Sequence, residues 1–179
     1  MHKNYLIVID MQYDFVYGSL GSEQARSIVE KVKNKILNFK GEIIFTRDTH
    51  SDNYLQTLEG VNLPVIHCLK DTDGWQIIDE ISRSIDIDKY LIFDKSQFGS
   101  IELAGFLENE NKKHKIDKIE MIGLCTDICV VNNAMLLKTF LPETKIIVDS
   151  DCCAGTTQQM HNEALNTMRS CHILIDKDL

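Results

Sequence analysis

Asp10, Lys95 and Cys129 are the residues whose types and placement suit thiol chemistry. Each stands just beyond a short apolar run rich in β-branched and aromatic residues: 5–9 before Asp10, 90–93 before Lys95, and 119–123 before the loop to Cys129. Such runs read as buried strands. Open α/β sheets bind ligands beyond the carboxyl ends of their strands, so a parallel sheet gathers all three residues at one edge. An acid, a cation and a thiol meeting there can run acyl transfer through a covalent thioester. A helix is expected to begin at about Cys129, capped by Thr126 or Asp127. Its free N–H groups favour a thiolate and can hold an oxyanion. Lys95 would lower a neighbouring thiol further and keep Asp10 ionised. Each residue also has an ordinary reading: a buried helix cysteine, an aspartate capping the turn at Gln12 or Tyr13, a surface lysine. Their shared address is what favours chemistry.

A second group leaves the next strand at the same edge. Asp48 and His50 are two apart and point the same way on an extended segment. Glu59 and His67 follow in the same irregular stretch. Two imidazoles with two carboxylates make a mixed nitrogen and oxygen set suited to a divalent metal, Zn foremost, with Mn or Fe as alternatives. Open positions on such an ion would polarise a substrate or a water. The competing reading is a pair of loop histidines in ordinary hydrogen bonds. His2, His114, His161 and His172 suggest no role. HExxH, GxGxxG, P-loop and GxSxG patterns are absent.

The chain supplies the elements to position these groups. Its 179 residues, 44% hydrophobic and 26% charged, fit one domain over 1–179 with a continuous core. A net charge of -8 argues against a nucleic-acid partner, and no apolar stretch has the length of a membrane span. No signal-peptide core opens the chain, so a cytoplasmic location is expected. Six cysteines show no CxxC pair and read as reduced thiols, most of them small buried hydrophobes. Strands are expected at 5–9, 42–46, 89–93, 118–122, 145–148 and 172–175. Helices are expected at 22–39, near 100–110, at 128–140 and at 157–170, the third apolar on nearly all sides and therefore buried. This alternation predicts an α/β fold: three αβα layers, a mostly parallel six-stranded Rossmann-like sheet and helices on both faces. The polar stretch 47–81 is too long for a plain connection and reads as functional.

With these residues assembled, the chain resembles the isochorismatase-like cysteine hydrolases, and among them the nicotinamidase/pyrazinamidase-like branch. The resemblance rests on segments 8–15 and 45–50, on Pro64 to Cys68, on Lys95 with Phe98-Gly99, and on segment 123–130. It implies that Asp10, Lys95 and Cys129 form a catalytic triad. It also implies a cis peptide before Cys125 and an oxyanion hole built from the backbone N–H groups of Cys125 and Cys129. Asp48, His50 and His67 match metal ligands of the branch, and Glu59 matches the fourth in members that use a glutamate. One departure stands out. Nicotinamidases often carry a tryptophan shortly before the last metal histidine, where Leu63 and Pro64 stand here. Phe15 keeps one aromatic wall, and Tyr54 or Trp75 is expected to supply a second.

The expected activity is hydrolysis of a small carboxamide, nicotinamide to nicotinate and ammonia foremost, by a homo-oligomer. Related hydrolysis of carbamoyl or ureido compounds would share the triad. Isochorismatase-type vinyl-ether hydrolases typically lack the cysteine and this metal set. A non-catalytic metal- or ligand-binding protein on the same scaffold is the alternative from another class.

Overall fold

The computed structural model describes residues 3–178, so His2 lies outside the described residues. Its strands are β1 (Lys3–Ile9), β2 (Glu42–Asp48), β3 (Leu91–Lys95), β4 (Ile116–Leu124), β5 (Lys145–Ala154) and β6 (Leu174–Ile175). They form one sheet in the order β3-β2-β1-β4-β5-β6, every neighbouring pair parallel. The helices are α1 (Tyr13–Val16), α2 (Glu23–Asn38), α3 (Leu58–Asn62), α4 (Asp79–Ser82), α5 (Ile101–Lys113), α6 (Val131–Phe140) and α7 (Gln158–Ser170).

Alternate residues of β1 divide between two cores. Tyr5, Ile7 and Ile9 pack with apolar residues of α5, α6 and α7. Leu6 and Val8 pack with Ala25, Ile28, Val29, Val32 and Ile36 of α2 and with Ile81 of α4. A strand covered on both faces must be apolar throughout, which is why β1 reads as an unbroken hydrophobic run. Four of the described helices start at side-chain caps: Ser22 Oγ accepts from Ala25 N at 3.0 Å, Thr57 Oγ1 from Gly60 N at 3.0 Å, Ser100 Oγ from Leu103 N at 3.1 Å, and Thr157 Oγ1 from Met160 N at 3.1 Å.

Several expected boundaries move. Residues 89–90 do not join β3, because Ile87–Lys89 turns as a 3-10 helix first. β5 runs on to Ala154 past the polar pair Asp149-Ser150. That extension is tolerated because Asp149 meets Lys35 and Ser150 gives both its N–H and its hydroxyl to Asp176. β6 keeps only two residues. The helix expected over 128–140 begins as a π-helical turn, Thr126–Val130, and α6 itself buries only Asn133, Ala134 and Leu137. It packs one face on the core rather than being enclosed.

Strand order reverses direction between β1 and β4, the topological switch point where such sheets open a crevice. The backbone closes tightly there. Gly123 has φ +116, and a Cβ on it would collide with the Ile9 carbonyl oxygen, so only glycine lets β4 pass this close to β1.

Lys35 ties α2 to the sheet, its Nζ 2.7 Å from Glu120 Oε2 and 2.9 Å from Asp149 Oδ2. Burial pushes the Glu120 carboxyl up, but Lys118 and Lys35 overcome this and hold it below its ordinary value. A carboxylate lowered in the folded state stabilises the fold above its unfolded pKa and loses that contribution as pH falls through the folded value. Lys35→Ala is therefore expected to cost about 1–3 kcal/mol in urea unfolding at about pH 7, and clearly less at about pH 3. An equal deficit at both pH values would show that the ion pairs contribute nothing.

Candidate active site

The three chemistry-bearing residues meet at the switch point. Asp10 directly follows β1 with φ +47, a left-handed conformation that is costly for a residue with a side chain. Lys95 ends β3 and is the register partner of Asp48 on β2, so their side chains leave the same face. Cys129 lies in the π-helical turn after β4. Lys95 Nζ stands 2.7 Å from Asp10 Oδ2, 3.3 Å from Cys129 Sγ and 3.3 Å from Asp48 Oδ1. All four side chains are buried.

Burial sets the electrostatics. It pushes the Asp10 carboxyl above the usual carboxylate range against the pull of Lys95. Burial, with Asp10 beside it, drives the Cys129 thiol up well beyond its ordinary value, although Lys95 pulls the other way. The expectation of a thiol lowered by a helix N-terminus is thus reversed, because the sulfur is enclosed and faces a carboxylate. Burial alone would lower Lys95, but Asp10, Cys129 and Asp48 together hold its ammonium well above the ordinary lysine value. Burial thus disfavours the charged forms of Asp10 and Cys129, while Lys95 keeps its charge.

Beside it, one donor atom from each of Asp48, His50, Glu59 and His67 lies within 4.8 Å of the others. His67 Nδ1 is 2.7 Å from the Val65 carbonyl, to which it donates, leaving Nε2 as the lone pair turned toward Asp48 and Glu59. His50 Nε2 is buried and makes no hydrogen bond to any described residue, although Asp48 Oδ2 is 2.9 Å and Glu59 Oε1 3.6 Å away. Burial and the nearby Asp48 push the Glu59 carboxyl up. Convergent lone pairs, an orphaned imidazole nitrogen and crowded carboxylates fit a divalent cation better than a hydrogen-bond cluster.

Two positioning residues were given no role from the sequence. Gln12 clamps Asp48 through the backbone: its Oε1 accepts from Asp48 N at 2.7 Å, and its Nε2 donates to the carbonyls of Asp48 and Trp75, both at 2.8 Å. Asn133 Nδ2 donates to the Cys129 carbonyl at 2.8 Å and to Phe98 O at 3.0 Å, tying the cysteine turn to the loop after β3. The one sequence signal for each was a buried amide inside an apolar stretch. Asp127 and Thr126 do not cap the helix. Asp127 accepts from Thr156 N at 2.9 Å and from its hydroxyl at 2.6 Å, and Thr126 Oγ1 meets His161 Nδ1 at 2.8 Å. Asp127 therefore locks the cysteine turn to the segment before α7, and Thr126 locks it to α7 itself. His161, given no role, serves as that anchor. The peptide between Leu124 and Cys125 is cis. In the turn that follows, the Ile128 and Val130 amides both donate to the Cys125 carbonyl, while that of Cys129 between them does not.

A cavity of about 880 Å³ opens over these groups, lined by Cys129, Cys125, Asp48, His50, Glu59 and His67 together with Phe15 and Phe98. Tyr54 and Trp75 are not among its walls. Tyr54 is buried behind the histidines, its ring 4.5 Å from that of His50 and 4.9 Å from that of His67. Trp75 is buried under the Arg47 guanidinium, 3.5 Å from its ring, and donates to Thr49 Oγ1 at 2.7 Å. Both polar tips are satisfied inside the fold, so these rings brace the site from behind, and Phe98 is the second aromatic side chain at the cavity.

Comparison with known proteins agrees with this fold. The isochorismatase domain family matches residues 4–178. Nicotinamidase of Saccharomyces cerevisiae is 22% identical over 96% of this chain and 99% of its own length. The nicotinamidase structure from Bacillus subtilis superposes with a TM-score of 0.81 at 24% identity, covering 97% of this chain and 98% of that one. A pyrazinamidase of Pyrococcus horikoshii in complex with zinc gives 0.80 at 25% identity, with the same coverage.

Thr46 is a neutral partner of Asp10: its hydroxyl donates to Asp10 Oδ1 at 2.6 Å inside the core. Thr46→Val keeps the shape and leaves that oxygen unsatisfied, which is expected to cost about 1–3 kcal/mol, or roughly 2–10 °C in Tm by calorimetry. An unchanged Tm would show that Lys95 alone satisfies the carboxylate.

Proposed function

Given that the chain belongs to the isochorismatase family, we propose that it hydrolyses a small carboxamide through a thioester on Cys129, nicotinamide to nicotinate and ammonia foremost. The observation that carries this reading is the buried Lys95 ammonium in reach of Asp10, Cys129 and Asp48 at once.

Asp10 takes the proton of Cys129, and the resulting thiolate lies 3.3 Å from a lysine that stays charged. The sulfur attacks the amide carbon, and the backbone N–H groups of Cys125 and Cys129 receive the oxyanion. Asp10 then gives its proton to the departing nitrogen, the C–N bond breaks, and ammonia leaves an acyl thioester. Water attacks that thioester as Asp10 takes its proton, and the C–S bond breaks to release the acid. Phe15 and Phe98 offer the ring its flanking surfaces. Asp48, His50, Glu59 and His67 would hold a divalent ion, zinc first, in keeping with the zinc-bound Pyrococcus horikoshii structure. When bound, such an ion supplies a Lewis-acid anchor for a ring nitrogen or an ordered water.

Ammonia release from a panel of amides tests the reading directly. Cys129→Ala is expected to lower kcat by at least about a thousandfold while metal content stays constant; activity retained in that variant removes Cys129 as nucleophile. His67→Ala should lose the ion by elemental analysis and, with it, about tenfold or more in kcat/KM. If that variant keeps a full complement of metal, the four-residue group is not the binding site.

A further inference from the structure

The cavity is far larger than the group the proposed chemistry must hold. Its volume, about 880 Å³, lies toward the upper end of the roughly 300–1,000 Å³ typical of sites for drug-sized ligands. A bound ion with a water would take only tens of Å³ of it, a water's own share of liquid being about 30 Å³. Its ionisable groups are the two cysteines, Cys125 and Cys129, and the four clustered donors, with neutral polar side chains such as Ser96, Gln97 and Asn62 elsewhere on the wall. The remaining wall includes apolar side chains left open to solvent: Leu58 is 79% exposed, Leu63 37% and Phe98 41%. Leu58 immediately precedes Glu59 on α3, so the apolar rim starts beside the donor cluster. A single ring with its carboxamide carbon at Cys129 leaves most of that rim wet, whereas a longer apolar body covers it. Exposed apolar side chains gathered around a cavity mark a ligand surface rather than chance exposure.

Resting on the amidase reading above, we infer that the preferred substrates are primary carboxamides whose apolar body exceeds one ring, fused bicyclic amides included. Leu58, Leu63 and Phe98 receive the added ring, and the carboxamide keeps its place at Cys129. The gain is one of binding, so it falls on KM more than on kcat.

Quinoline-3-carboxamide is the probe, since it keeps the ring nitrogen and carboxamide of nicotinamide in the same relation and adds one fused ring. Ammonia release by the metal-loaded protein is expected to give a kcat/KM at least equal to that for nicotinamide, through a KM lower by about threefold or more. Leu58→Trp and Leu63→Trp fill the rim from exposed positions and are each expected to lower the quinoline-to-nicotinamide ratio by about tenfold. Rejection of the bicyclic amide by about a hundredfold, with nicotinamide still turned over, overturns this inference and leaves the amidase reading standing. No ammonia from any amide removes both.

Discussion

A lysine ammonium buried among two carboxylates and a thiol is the interaction on which the rest of the structure depends. Removing such a charge from water costs several kcal/mol, repaid only when every partner is held in place. Lys95 has that support from three directions, Asp10, Asp48 and Cys129, each delivered by a different segment. Take away either carboxylate and the buried ammonium loses a compensating charge. The site is therefore a structural junction as well as a chemical one, and its order is bound up with the order of the sheet edge.

That junction explains the irregularities around it. Asp10 holds a left-handed backbone, Gly123 lets β4 pass close against the Ile9 carbonyl, and a π-helical turn sets Cys129 before the regular helix begins. Each is locally unfavourable or unusual, and each lies at the point where the sheet's winding reverses. Rigid neighbours hold them: Gln12 fixes Asp48 through two hydrogen bonds and ties it to Trp75 through a third, Asn133 fixes the Cys129 turn, and Asp127 fixes the segment before α7. The long segment between β2 and β3 then supplies what the sheet cannot. It brings Glu59 and His67 to Asp48 and His50, and it forms an apolar rim that stays open to solvent.

Burial also reassigns chemical roles. A thiol at an exposed helix start would rest as a thiolate, but this one is enclosed beside a carboxyl that is itself pushed up. Burial thus disfavours the charged form of both groups, and two ionisable groups in such proximity titrate as a pair.

Much of this was legible in the residues. Apolar runs ending at Asp10, Lys95 and before Cys129 determined the strands, their parallel pairing and the edge where the three meet, because period and composition are local and parallel sheets leave few topologies. The spacing of Asp48 and His50 and the later Glu59 and His67 marked the donor group. What sequence could not decide is where side chains end up relative to segments distant along the chain. Tyr54 and Trp75 looked like substrate walls but face inward, because their hydroxyl and indole N–H find partners at Leu63 and Thr49 within the fold. The capping role expected of Thr126 or Asp127 went instead to anchoring, since His161 and Thr156 arrive there from beyond β5. The direction of the Cys129 titration likewise depends on enclosure, and enclosure is a property of packing, which no local pattern encodes.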